Sequence, residues 1–200
     1  MLVRRKLNGG PSQSRIMNTL LIGPRACGKS TIGRLLAQRV GLPLLDLDEL
    51  VLKRFAQRSI AAVWSAQGEN AWRQAELMSL QEALKSGESI IALGGGTPII
   101  PAARDMIESA RNVGAARVIY LCCSPDVLLQ RLARNPGDRP SLTGADVAEE
   151  ASGVLAGRHA KYQALADWEC DTGKSAPSAV VNQLVKRFFN RPDSAMQPDR

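Results

Sequence analysis

The segment "GPRACGKS", Gly23 to Ser30, constrains the fold of this chain more than any other stretch. Two glycines flank four residues, and a Lys-Ser pair closes the segment. The short apolar run "TLLIG" leads into it, and "KSTIGRLLAQRVG" follows with its apolar residues at helical spacing. Glycines let successive backbone N–H groups curl around one anion, and the first turn of a helix adds positive potential. A strand, this loop and a helix in that order predict a phosphate-binding loop in an α/β fold.

Apolar runs recur along the chain and alternate with helical patterns, including helices predicted over about 69–85 and 145–166. Such alternation predicts a three-layer αβα sandwich with a central parallel sheet of five strands, and ligands at the carboxyl ends of the strands. One domain over 18–189 is expected, with a flexible basic extension over 1–17 and a flexible tail over 190–200. The four runs after the first predicted strand are "LPLLDLD", "SIIALGGG", "ARVIYLCCS" and "DWECDT".

The net charge of +7 would fit a nucleic-acid partner, but four of the positive charges lie in the N-terminal segment. The charge that remains is normal for an enzyme that binds anions, so no nucleic acid is expected as a partner. No apolar run is long enough to cross a membrane, and no CxxC spacing indicates zinc or redox chemistry. A cytoplasmic protein with reduced cysteines is expected. The alternative that translation starts at Met17 stays open.

The glycine loop and its flanks are the predicted nucleotide site. Lys29 can reach the β and γ phosphates of a nucleotide, and the Ser30 hydroxyl can ligate Mg²⁺. The residues predicted to bind the nucleotide phosphates are Gly23, Pro24, Arg25, Ala26, Cys27, Gly28, Lys29, Ser30 and Thr31.

Two carboxylates mark the acceptor side of the predicted site. Asp46 and Asp48 stand two apart at the end of a predicted strand, which would send both to one face beside the loop. One could hold Mg²⁺ and the other accept a hydroxyl proton. The alternative is an Asp-rich turn that caps a helix.

Four further groups could belong to the site. Arg73 and Glu76 are spaced to pair on one helix, as are Arg158 and Tyr162 on a later one, although solvated helix faces would explain both pairs. The glycines "GGG" of 94–96 end a buried strand, where they would allow close approach to a ligand or form a tight turn. Arg139 lies in a loop, as a residue on a closing lid would.

Taken together, these motifs resemble the shikimate kinase family, within the nucleoside monophosphate kinase branch of P-loop folds. The resemblance covers about residues 20–188. The sequences of the phosphate loop and of the lid are closer to those of the second bacterial isoform than to those of the first. Trp64 and Trp72 depart from it, since the family commonly has Phe there. The six motifs, in family order, are "LIGPRACGKST", "DLD", "WRQAE", "GGG", "RPSLTG" and "RHAKY".

The resemblance implies transfer of the γ-phosphate of ATP, with Mg²⁺, to the 3-hydroxyl of shikimate by a monomeric enzyme of aromatic amino-acid biosynthesis. It implies a mobile lid over about 131–145. For the acceptor, the resemblance implies that Arg73 and Arg158 clamp the carboxylate, that the backbone of Gly94, Gly95 and Gly96 contacts shikimate, and that Asp48 binds the hydroxyls and is the catalytic base. For the nucleotide, it implies that Ser30 and Asp46 hold Mg²⁺ and that Lys29 and Arg139 stabilise the charge of the phosphoryl group. Arg131 and Pro177 are the implied adenine contacts, with Arg134 as the alternative to Arg131.

Three alternative functions remain at this point. A kinase of another carboxylated polyol, such as gluconate, would use the same arginines and Asp48. A non-catalytic ligand-sensing module would keep the fold without turnover. A P-loop ATPase would hydrolyse ATP without any acceptor.

Overall fold

A computed structural model describes residues 17–135 and 147–190, with the backbone alone described over 147–155. Its five strands form one sheet in which every pairing is parallel, in the order β2-β3-β1-β4-β5. The predicted α/β fold and five-stranded parallel sheet are confirmed. The strands are β1 (Asn18–Ile22), β2 (Leu44–Asp46), β3 (Ile90–Ala92), β4 (Ala116–Cys122) and β5 (Trp168–Asp171).

Helices connect successive strands and cover both faces of the sheet. A short 3-10 turn, Thr97–Ile99, lies between β3 and the helix that follows it. The helices are α1 (Lys29–Val40), α2 (Leu47–Leu52), α3 (Ile60–Lys85), α4 (Pro101–Asn112), α5 (Pro125–Arg134), α6 (Val147–Leu165) and α7 (Pro177–Phe188).

The three-layer arrangement follows from strand β1, whose five residues are all buried. Successive side chains of a strand point to opposite faces. Leu20 and Ile22 accordingly belong to one hydrophobic core, and Leu21 belongs to the other. The first core also contains Trp72 of α3, and the second contains residues of α1 and α7. A strand buried on both faces has no polar side, which is why "TLLIG" is a continuous apolar run.

Helix α3 begins earlier than the sequence pattern predicts. It starts at Ile60 rather than near Glu69, with the Ser59 hydroxyl accepting a hydrogen bond from the Ala62 N–H at 3.2 Å. Gly68 interrupts the helix with φ 80° and ψ 166°. That break hides the 60–67 segment from a search for one continuous helical period, because the phase of the apolar positions changes there.

Several predicted segments lie outside the described residues. These are the basic extension apart from Met17, the lid after residue 135, and the tail after residue 190. Arg139, in the predicted lid, also lies outside the described residues. Within 17–135 and 147–190, no helix combines the length and the apolar character that crossing a membrane requires.

We predict that Gly23→Ala destabilises the fold by about 2–4 kcal/mol, as measured by urea unfolding. Gly23 has φ 140°, and a Cβ there would lie 2.2 Å from the backbone oxygen of Leu121 in β4. Gly157→Ala is the matched control, because Gly157 lies within α6 and its Cβ would meet nothing within 4 Å. That control should stabilise the protein by about 0.5–1 kcal/mol. Equal unfolding midpoints for the two variants would contradict the predicted strain at Gly23.

Candidate active site

The phosphate-binding loop joins the carboxyl end of β1 to α1. Gly28 caps α1 in a left-handed conformation with φ 102°, and Ala26 also has a positive φ of 60°. These angles turn the chain so sharply that backbone N–H groups from consecutive residues can face one anion. The Lys29 amine donates to the carbonyl oxygens of Gly23 at 2.9 Å and Pro24 at 2.7 Å, so it folds back across the loop it follows.

Asp46 connects this loop to the next element of the site. The Ser30 hydroxyl donates to Asp46 Oδ2 at 2.6 Å, and the Asp48 N–H donates to Asp46 Oδ1 at 3.1 Å. Strand β2 ends at Asp46, and Asp48 lies in the first turn of α2. The prediction that one strand carries both carboxylates is therefore wrong, because the backbone turns helical between them, although both line the larger cavity beside the phosphate loop. The helix cap is present, and Asp46 provides it while also bonding to Ser30.

The pair of Ser30 and Asp46 fits a magnesium ion. Mg²⁺ prefers oxygen ligands and is commonly held by one or two protein groups together with water and phosphate oxygens. A hydroxyl and a carboxylate in hydrogen-bond contact beside a phosphate loop supply such ligands. Among residues 17–135 and 147–190, no group of three or more His, Cys, Asp or Glu side chains could form an all-protein metal cage.

Two cavities meet at the phosphate loop. The larger, of about 500 Å³, lies between the loop, Asp46, Asp48 and Gly95. The smaller, of about 200 Å³, lies on the other side of the loop. Arg131 lines both cavities, whereas Arg134 lines the larger one. The remaining walls of the smaller cavity include Thr172, Ser175, Pro177 and Val180.

Arg131 is held in place by Thr172, a residue that the sequence analysis did not identify. Its guanidinium donates to the Thr172 carbonyl at 2.6 Å and to the Thr172 hydroxyl at 3.2 Å. The same hydroxyl contacts the carbonyl oxygens of Cys27 at 2.8 Å and Cys122 at 3.0 Å. Thr172 thus joins the end of β5 to the phosphate loop. No local pattern identifies it, because its partners lie 41 to 145 residues away in sequence.

Arg73 lies among two carboxylates and an indole ring. Its Nη1 donates to Glu76 Oε2 at 2.7 Å, while Nε and Nη2 donate to Glu69 Oε1 at 2.9 and 2.7 Å. The guanidinium carbon lies 5.5 Å from the centroid of the Trp64 ring. Burial alone would lower the pKa of Arg73, but the carboxylates of Glu76 and Glu69 outweigh it and raise the pKa above its usual value. The arginine is therefore fixed and fully charged.

Glu76 is a buried residue rather than part of a solvated helix face. Its side chain has no exposed surface, and its Oε1 accepts a hydrogen bond from the Thr97 hydroxyl at 2.8 Å. Both carboxylate oxygens are thereby satisfied, as a buried charge requires. Trp72, one helical position before Arg73, is also wholly buried and stacks on Phe55, so it forms core rather than a wall of the cavity.

The glycine triplet brings the two predicted arginines together. The Gly95 carbonyl accepts hydrogen bonds from the Tyr162 hydroxyl at 2.6 Å and from Arg158 Nη1 at 3.4 Å. A Cβ on Gly96 would lie 2.7 Å from Arg73 Nη1, and one on Gly94 would lie 2.7 Å from Asp48 Oδ1. None of the three glycines has a positive φ. Gly94 and Gly96 are needed for space beside these side chains, and Gly95 lies against the backbone of the phosphate loop, where a Cβ would be 3.2 Å from the Arg25 nitrogen.

The single histidine and three of the four cysteines lie outside the linings of the two cavities, whereas Cys27 lines the smaller one. His159 Nδ1 is 2.9 Å from the Tyr120 hydroxyl, and the two rings are in contact. All four cysteines are free thiols, as predicted, and burial raises the pKa of Cys122 to about 12. A thiol with so high a pKa stays protonated and unreactive at neutral pH.

We predict that Glu76→Ala destabilises the protein by about 2–4 kcal/mol in urea unfolding, because it leaves Arg73 and Thr97 without a buried partner. Glu82→Ala is the matched control, since Glu82 lies on the same helix as Glu76 and pairs with Arg54 but is 69% exposed. It should cost about 1 kcal/mol or less. Similar losses for the two variants would show that burial of the Glu76 carboxylate contributes nothing.

The comparisons with known proteins agree with one another. The family model described as shikimate kinase matches residues 25–189. The chain is 38% identical to "Shikimate kinase 2" of Pectobacterium carotovorum over 168 residues, which cover 83% of this chain and 92% of the relative. It is 40% identical to "Shikimate kinase 2" of Yersinia pseudotuberculosis, with the same coverage of each chain.

A solved structure of shikimate kinase from Acinetobacter baumannii, in complex with shikimate, superposes with a TM-score of 0.77. It is 25% identical in sequence, and the match covers 86% of this chain and 92% of that one. From the family match and the identity over most of its length, the chain belongs to the shikimate kinase family.

Proposed function

We propose that the protein transfers the γ-phosphate of ATP to the 3-hydroxyl of shikimate, giving shikimate 3-phosphate and ADP in aromatic amino-acid biosynthesis. Membership of the shikimate kinase family makes it an ATP-dependent kinase. The observation that supports this choice of acceptor is the glycine triplet, which Arg73, Arg158 and Asp48 all approach closely. Gly95 and Asp48 also line the larger cavity together with the phosphate loop.

On the acceptor side, Arg73 and Arg158 would bind the shikimate carboxylate. The planar guanidinium suits a carboxylate because its N–H groups match the spacing of the two oxygens. Backbone groups of Gly94, Gly95 and Gly96 would contact the same molecule. Asp48 would bind the ring hydroxyls and accept the proton of the hydroxyl that attacks, which requires hydrogen-bond reach rather than an unusual pKa.

On the nucleotide side, the loop residues Gly23 to Thr31 would surround the phosphates, and the Arg131 side chain with Pro177 would flank the adenine in the smaller cavity. Lys29 would exchange the Gly23 and Pro24 carbonyls for phosphate oxygens. Lys29 and Arg139 would stabilise the charge of the transferring group, in which positioning and electrostatics supply most of the catalysis. Mg²⁺ at Ser30 and Asp46 would neutralise phosphate charge.

The proposal includes a monomer in the cytoplasm. The monomer is what the resemblance to the family implies. Four free thiols, two of them adjacent, suit a reducing compartment.

The test is ADP release by the purified protein with Mg-ATP and no acceptor, shikimate or gluconate. Release should require shikimate, because a closed site keeps water from the γ-phosphate. Lys29→Ala should abolish it and serves as the control for contaminating kinases. Equal release without acceptor would indicate an ATPase, release with gluconate alone would reassign the acceptor, and tight nucleotide binding without release would indicate a sensing module.

We also predict that Arg73→Lys raises the KM for shikimate roughly ten- to hundredfold and leaves the KM for ATP nearly unchanged. Lysine retains a positive charge beside Glu76 but lacks the planar pair of donors. Arg34 is an exposed arginine on α1, and Arg34→Ala is the control, which should leave both KM values unchanged. Equal changes in both KM values for Arg73→Lys would argue against a role confined to the acceptor.

A further inference from the structure

The two carboxylate partners of Arg73 differ in burial and therefore in how easily each can move away. Glu76 is fully buried, and its second oxygen is bonded to Thr97. The Glu69 side chain is 50% exposed, and one of its oxygens accepts both Nε–H and Nη2–H of Arg73. Glu69 therefore occupies the Nε–Nη2 edge of the guanidinium, an edge that carboxylates commonly bind through two parallel hydrogen bonds.

The other approaches to the guanidinium are restricted. Trp64 covers one face of the group. Gly96 lies close to the end of the guanidinium away from Nε, since a Cβ there would be 2.7 Å from Nη1 and 3.3 Å from Nη2. Glu76 cannot leave Nη1 without exposing its own buried charge to an apolar core. The Nε–Nη2 edge is thus the one whose partner can be exchanged at small cost.

We propose that Glu69 holds the place of the substrate carboxylate at Arg73 and is displaced when the acceptor binds. This inference rests on the proposed function. Rotation of one half-exposed side chain into water frees the edge, and a carboxylate of the acceptor restores both hydrogen bonds. A neutral acceptor brings no charge to replace that of Glu69, so it would bind beside the Glu69–Arg73 pair without displacing it.

The position of Glu69 supports such a role. It directly follows the break at Gly68, in the first turn of the second segment of α3, and it is four residues from Arg73. A side chain at a helix start with half its surface in water moves without repacking the core. The buried face of the same segment, which includes Trp72 and Glu76, keeps Arg73 in place.

The test is Glu69→Gln in the full chain, with steady-state constants measured for both substrates. A neutral side chain competes less well for the guanidinium, so the KM for shikimate should fall roughly two- to fivefold while kcat and the KM for ATP stay constant. Glu82→Gln is the control, because Glu82 lies on the same helix as Glu69 and pairs with Arg54. It should leave kcat and both KM values unchanged. An unchanged or raised KM for shikimate would overturn the proposal.

A second measurement separates competition from a general effect on the site. The methyl ester of shikimate lacks the negative charge, so its kcat/KM, taken where the rate is linear in concentration, should not improve in Glu69→Gln. An equal improvement for ester and acid would overturn the displacement. Failure of the wild-type protein to phosphorylate shikimate at all would instead overturn the proposed function, and this inference with it.

Discussion

Parallel pairing on both sides of a fully buried central strand is the constraint on which the rest of the molecule depends. Strand β1 pairs with β3 and with β4, and Leu20 lies between Ile91 and Val118. All five strands therefore end at one edge, and the segments that follow β1, β2 and β3 meet there. These segments carry the phosphate loop, Asp48 and the glycine triplet, which are far apart in sequence and adjacent in space.

Much of this arrangement could be predicted because the signals are local. A continuous apolar run predicts a strand buried on both faces, and two glycines with a Lys-Ser pair predict the loop. The Arg73–Glu76 pair also follows from helical spacing. Its burial could not be predicted, since that depends on Thr97 and on the glycines after β3. The same spacing rule also pairs Glu69 with Arg73, which are four residues apart.

Where the sequence analysis was wrong, a break in regular backbone was the reason. The turn between Asp46 and Asp48 and the kink at Gly68 each change the period with which side chains face the core. Periodicity arguments assume one backbone type over the window, so they fail at such breaks. Both breaks lie beside residues of the proposed site, Asp46 and Asp48 at the first and Glu69 at the second.

Thr172 has a consequence for the order in which the chain completes its nucleotide site. Its hydroxyl contacts the carbonyl of Cys27, 145 residues earlier, and its backbone oxygen holds Arg131. A nascent chain that has emerged only as far as α5 contains the whole phosphate loop but lacks this support. Such long-range contacts form late, after most of the loop-closure entropy has been lost. The phosphate loop is therefore synthesised well before the segment that supplies its supporting contacts.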